Sequence, residues 1–297
     1  MTEVKAGVTG GRRPTFFRQG LTRFIVLALL GFTMAVPFVW MAGSSLKSRA
    51  EIEAGGMHIV PEDPNPDNYP ILFGRIPEPV TGELLSLKFG RWFYNSFFLA
   101  FGNTLIQVMT SALAAFAFAR LQWRGRDAVF LLYLATMMIP GLTLMIPNFQ
   151  VMVWLGFLDT YHGLIIPAAF SAFGTFLLRQ FMLGIPTAVD EAARIDGASH
   201  WRIFTDVILP LAMPGVVALS IITFIFQYQQ FFWPLIMLND QQFFPLPVGL
   251  LELDSSYGQQ TELIMAAATI TVGPLIIIFA VFQNFLVRGI QLGGVKG

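Results

Sequence analysis

Glu191-Ala192-Ala193-Arg194-Ile195-Asp196-Gly197, with Ala198 to Pro214 behind it, is dense in charge and lies between two long apolar segments. Locally it reads as two short helices around a glycine. Pro186 suits the opening turn of the first, since its fixed φ and missing N–H cost nothing there. Ala188, Ala192 and Ile195 fall on one face at helical spacing, and Asp190, Glu191 and Arg194 point elsewhere. Gly197 occupies the place of a left-handed C-terminal residue. Ser199 is placed to cap a second helix carrying Trp201, Phe204 and Ile208. Pro210 and Pro214 lie at the entrance to the next apolar run. On local physics alone the stretch is equally an ordinary polar loop with helical character.

The surrounding chain is built for lipid. Of its 297 residues 55% are hydrophobic and 12% charged, which leaves too little polar surface for a water-soluble domain of this length. The formal net charge is zero, so nothing points to nucleic acid. The absence of cysteine excludes disulfides, thiol nucleophiles and cysteine-bound metal. His58, His162 and His200 show no metal-ligand spacing, and no cofactor is implied.

Apolar stretches near the ~20 residues that a bilayer span needs can be counted between charges. They lie between Arg23 and Lys47, from Trp92 to Ala119, between Asp127 and Asp159, between His162 and Arg179, from Val207 to Asn239, and from Leu263 to Val287. The expectation is an all-α membrane protein with six transmembrane helices and both termini on one side. Basic residues give the orientation. Lys5, Arg12, Arg13, Arg18 and Arg23 lead the chain, and Arg120, Arg124 and Arg126 follow span two. Arg179, Arg194 and Arg202 follow span four, while the loops after spans three and five carry no Lys or Arg. Both termini and the Glu191 loop are therefore expected in the cytoplasm.

The domain reading is a cytoplasmic tail over 1–23, a first transmembrane helix over 24–45 and an extracytoplasmic loop over 46–92. A transmembrane domain over 93–288 contains a loop at 184–210, and a cytoplasmic tail covers 289–297. The prolines Pro61, Pro64, Pro66, Pro70, Pro77 and Pro79 argue against a long helix in the outer loop. Pro140, Gly141 and Pro147 break span three, where neighbours must satisfy the freed backbone groups. Span two is rich in small and polar residues, including Asn103, Thr104, Gln107, Thr110 and Ser111, which suit close helix packing or a path lining. Span five holds Gln227, Tyr228, Gln229 and Gln230, then Phe231, Phe232, Trp233 and Pro234. Amides in hydrocarbon need a partner helix or a water-filled cavity, so the cluster is either helix glue or the lining of a substrate path. Amides beside aromatic rings suit a sugar.

The spacing from Glu191-Ala192-Ala193 through Gly197 and Val207 to Leu209-Pro210 resembles the cytoplasmic loop of membrane permeases of binding-protein-dependent ABC importers. Asp196, Phe204, Pro214, the run Leu246-Pro247-Val248-Gly249-Leu250 and the C-terminal Gly293-Gly294-Val295-Lys296-Gly297 are similar to the maltose-type carbohydrate branch. The resemblance covers the chain from about residue 93 onward. It implies a type I ABC importer permease fold with a cytoplasmic coupling helix, in a bacterial inner membrane. Glu191, Ala192, Ala193, Asp196, Gly197, Leu209 and Pro210 would couple it to a dimer of ATPase subunits, Leu209-Pro210 acting as a rigid link to span five. It also implies a second permease subunit, an extracytoplasmic solute-binding protein docking on the outer loop, and a sugar or oligosaccharide as substrate, with a polyol or glycerol phosphate as the alternative.

The chain itself has no energy source. A phosphate-cradling loop needs Gly-x-x-x-x-Gly-Lys-[Ser/Thr], and Lys5, Lys47, Lys88 and Lys296 each follow Val or Leu. No nucleophile–base constellation suggests an enzyme. An ion-coupled secondary transporter would want paired ionisable residues at mid-membrane, and the spans hold none; a membrane scaffold would not need a broken, polar span five.

Overall fold

The computed structural model describes residues 15–55, 58–79 and 82–294, and within these the side chains from Leu21 to Gln283. The expected tail over 1–23 lies largely outside them, as do the side chains of the tail over 289–297. Among the described residues the regular structure is all helical, with no strand.

Helix α1 (Thr15–Ser44) keeps Pro37 inside it and leaves its apolar window bare of protein. Such a surface is stable only against lipid or another subunit. Two short helices follow in the next loop, α2 (Arg49–Glu53), capped by the Ser48 hydroxyl, and α3 (Asn68–Leu72). The rest of the loop is irregular, as its prolines require.

Helix α4 (Phe89–Arg120) is the axis of the molecule, 32 residues without a proline or a break. Its buried positions run Trp92, Asn95/Ser96, Leu99/Ala100, Asn103/Thr104, Val108, Ser111/Ala112 and Ala115/Phe116, one continuous stripe at three- and four-residue steps. The small residues in it let α8 (Ala172–Leu183) and α12 (Met213–Tyr228) approach closely.

The third apolar stretch folds as α5 (Arg126–Ala135) and α6 (Met145–Trp154), with 3₁₀ turns between them. Its halves meet at 91° around Pro140, which has no N–H to donate to the preceding turn. The fourth comprises α7 (Tyr161–Ile165), a break at Pro167 and α8; the Thr160 and Ser171 hydroxyls cap the two helices. After α8 the chain turns by 79° into α9 (Ala188–Ile195).

The fifth stretch departs from expectation. It is bent near its start: α10 (His200–Arg202), a π-helical segment over Ile203–Ile208 and α11 (Leu209–Leu211) together meet α12 at 76°. The widened turn sits where Pro210 has no N–H for the carbonyl four residues back. Helix α12 has 16 residues, about 24 Å at 1.5 Å per residue. It stops at Gln229 and is followed by α13 (Phe232–Met237), so Leu209-Pro210 stands at a bend and not on a straight rod into the span. The Leu246–Leu250 run opens α14 (Leu246–Tyr257), and α15 (Thr261–Gly294) carries Pro274 inside it. Gly249 packs against the Trp92 indole, where any Cβ would clash. Three helices are long and apolar enough to cross a membrane, or up to six counting each bent pair as one crossing.

Two apolar clusters sit at the two ends of α4. One gathers Phe89, Trp92, Leu99, Tyr228, Met237 and Leu246; the other gathers Phe116, Leu178, Met182, Ile203, Phe204 and Leu219.

Candidate functional site

Two places carry the polar chemistry: the turn around Gly197 and a cavity between α4 and α12.

At the turn, Gly197 has φ +79°. Its N–H donates to the Arg194 carbonyl at 3.0 Å, and the Ala198 N–H donates to the Ala193 carbonyl at 2.9 Å. This pair of bonds closes the helix in a Schellman motif, which needs a left-handed residue at that point. The Ser199 hydroxyl accepts from the Arg202 N–H at 3.3 Å and starts the second helix. Pro186 lies before α9, not in its first turn: Thr187 occupies the N-cap position, and the Pro186 carbonyl accepts from the Val189 N–H. Ala188, Glu191, Ala192, Ile195 and Asp196 face outward, with Ile195 86% exposed; Ala193 turns toward the bundle. Leu209 is partly buried and Pro210 exposed. Trp201 lies 64% exposed nearby.

Asp190 is the one buried side chain of α9. It pairs with Arg120, the last residue of α4, at 3.3 Å between Oδ2 and Nη1. The Arg120 guanidinium also donates through Nη2 to the carbonyls of Met182 and Ile185, the latter at 2.8 Å. In the sequence Arg120 serves only as a marker of orientation. Its partner lies 70 positions away, so no local spacing announces the pair.

The cavity, about 400 Å³, lies midway along α4. Asn103, Gln107, Asn148, Gln227 and Gln230 supply amides; Phe170, Phe226 and Trp233 supply rings; no ionisable side chain lines it among the described residues. The amides hold one another. Asn103 Nδ2 donates to Gln227 Oε1 at 3.3 Å, and Gln227 Nε2 donates to Gln107 Oε1 at 3.3 Å. Trp233 is pinned by its indole N–H on the Gly163 carbonyl at 3.0 Å. Asn103 Oδ1 is buried without a partner. Exposed Asn148, Phe170 and Phe226 stand at the rim, so the cavity is open on one flank.

Of the span-five cluster, Gln227, Gln230 and Trp233 line this cavity. Tyr228 and Gln229 do not. Tyr228 is 1% exposed, packed between Phe97 and Phe224 with ring centroids at 5.3 and 6.0 Å. Gln229 ends the helix and points outward. The 100° step per residue of a helix forbids four consecutive side chains from sharing one face. Asn103 and Gln107, noted in span two for packing or lining, form the opposite wall.

Residues 75–292 match the family described as the binding-protein-dependent transport system inner membrane component. The arabinooligosaccharides transport system permease protein AraQ of Bacillus subtilis (strain 168) is 32% identical over 283 residues, covering 95% of this chain and 96% of that one. The AraQ protein of Halalkalibacterium halodurans is 31% identical, covering 92% and 95%. The sn-glycerol-3-phosphate transport system permease protein UgpE of Yersinia enterocolitica is 37% identical, covering 69% and 74%. A chain of a bacterial ABC transporter involved in import of the acidic polysaccharide alginate shares the fold, with a TM-score of 0.79 at 23% identity over 93% of this chain and 99% of that one. The protein belongs to the family of inner membrane components of binding-protein-dependent transport systems.

Proposed function

We propose that the chain is the permease subunit of an ABC importer for a neutral sugar or short oligosaccharide, with both termini in the cytoplasm. In this reading separate ATPase subunits dock on the outward face of α9, within the loop 184–210. Glu191, Ala192, Ile195 and Asp196 present that face, and Gly197 fixes its angle. A second permease closes the open flank of the cavity, and a solute-binding protein delivers substrate at the other end, against the 46–92 loop.

The observation that carries the substrate class is the lining. Amides give donors and acceptors to hydroxyls, and the rings of Trp233, Phe170 and Phe226 offer apolar surface to the C–H faces of a sugar. A permanently charged substrate in a low-dielectric path wants a fixed counter-charge, and the cavity has none among the described residues. The AraQ relatives, named for arabinooligosaccharides, favour the same class. Competition for uptake in the assembled transporter, reconstituted in vesicles, tests it. Neutral oligosaccharides should compete and glycerol phosphate should not. Inhibition by anionic sugar phosphates alone would overturn the charge argument and favour the class for which UgpE is named.

A further inference from the structure

The route by which α9 reaches the cavity has two candidates. One runs through Leu209-Pro210 to α12. It crosses the π-helical segment and the 76° bend before α12 begins, so it is not one continuous helix. The other runs through Asp190 to Arg120 and so directly into α4.

We propose that Arg120 is a positioning residue that clamps α9 to α4, so that the two move as one body and α4 carries ATPase-driven motion to the cavity wall. This rests on the reading of α9 as the docking helix. The guanidinium joins three consecutive segments: Met182 of α8, Ile185 of the connector and Asp190 of α9. A planar fork with five donors can hold three acceptors at once in a fixed plane, which a lysine cannot do. Both partners are buried, with side chains 3% and 7% exposed. Arg120 Nε and Asp190 Oδ1 nonetheless lack partners. A buried pair left partly unsatisfied is a poor device for stability, because desolvation offsets its attraction. It is a good device for direction, because it fixes one geometry where apolar packing alone can slide. Beyond Arg120, α4 is unbroken to Gln107 and Asn103, about 20 and 26 Å away along the helix. Both residues touch Gln227 across the cavity.

The chain's lack of cysteine allows a direct test in the transporter assembled with cysteine-free partners. Spin labels go on Arg194→Cys, exposed on α9 beside the docking face, and Leu113→Cys on the exposed side of α4. With Arg120 in place, the distance between the labels should be the same with and without ATP. In the Arg120→Met/Asp190→Leu variant, which removes both charges together, the distance should shift by about 2 Å or more on ATP binding. Removing both charges together is often neutral, but the Met182 and Ile185 carbonyls lose their donor, so this variant should melt somewhat below the parent, and the distances are read below its melting temperature. Should it fail to assemble, Arg120→Lys is measured and should give a smaller shift. A distance that already changes with ATP in the parent, or that stays fixed in the variant measured, overturns the clamp. The docking reading has its own readout: Ile195→Asp should lose the ATPase subunits on co-purification. Normal co-purification there would overturn docking at α9, whatever the label distances show.

Discussion

The two ends of α4 are fastened by different chemistry. At the N-terminal end, neutral side chains hold backbone. The Trp92 indole N–H donates to the Gln241 carbonyl at 2.8 Å, and Asn95 Nδ2 donates to the carbonyls of Gln242 and Phe244 at 2.8 and 3.0 Å. Ser96 accepts from the Leu246 N–H at 2.7 Å. At the C-terminal end, a charge holds a charge and two carbonyls. The first kind of fastening ties an irregular loop down along its length. The second ties one short helix at one point, leaving its other face outward. Neutral bonds to successive backbone groups suit a part that stays put; a single ionic bolt suits a part that is moved.

The largest expected effect is at the bolted end. Gly197→Leu should abolish uptake while the protein still inserts. A Cβ there meets nothing within 4 Å, so the penalty is the left-handed backbone alone, about 1–3 kcal/mol for a strained residue. Gly197→Asn, which tolerates that region, should keep much of the activity. Transport at the parental rate by Gly197→Leu would show that the turn does not set the angle of α9.

At the neutral end the expected loss is of stability. Asn95→Leu strands two carbonyls and removes the acceptor for the Tyr161 hydroxyl, bonded at 2.7 Å. Leaving buried groups unsatisfied costs about 1–3 kcal/mol each, so the melting temperature should fall well before the docking of partner subunits is affected. A variant that melts normally but fails to transport would reverse the contrast between the ends.

Between the ends, Gln227→Leu and Tyr228→Phe should separate. The first breaks the amide chain from Asn103 to Gln107 and should lower uptake several-fold, on the order of the 1–3 kcal/mol of one stranded polar group. The second removes a buried hydroxyl that has no partner and should leave melting and uptake unchanged or slightly improved. Equal losses in both would return the cluster to a packing role.

These contrasts are unevenly legible in the sequence. The helical class, the break at Pro140 and the turn at Gly197 follow from local rules, because proline and glycine act on the backbone where they stand. The partition of Gln227 to Gln230 does not follow, because composition gives the cluster and only the helix phase gives the face. The sequence groups Asp190 with Glu191 and Arg194, off the Ala188–Ala192–Ile195 face of α9, yet burial by α4 and the end of α8 makes it alone of the three the inward one. The fifth stretch reads as one continuous span, since the π-helical segment continues the apolar character of the helix it precedes and hides the bend. For Asp190 the missing information is a contact with Arg120, far away in the chain; for the other two it is local backbone geometry that composition does not carry.

The smallest effect concerns pH at the neutral end. Asp159 is the one non-glycine residue with positive φ among the described residues, at 50°. Burial pushes its carboxyl up, but the backbone N–H groups of Asn239 and Asp240 and the Asn239 amide outweigh this and hold it below the usual aspartate range. A lowered pKa in the folded state means the carboxylate adds stability at neutral pH. That contribution begins to fade as pH falls past the unfolded value of about 3.9 and is gone below the folded one. Asp159→Asn keeps a side chain able to adopt the left-handed backbone and one accepting oxygen, so at neutral pH it should melt only slightly below the parent. Its melting temperature should also lose the part of the acid dependence that Asp159 contributes. Parallel acid profiles for parent and variant would show that the loop after α13 is held by its neutral bonds to α4 alone.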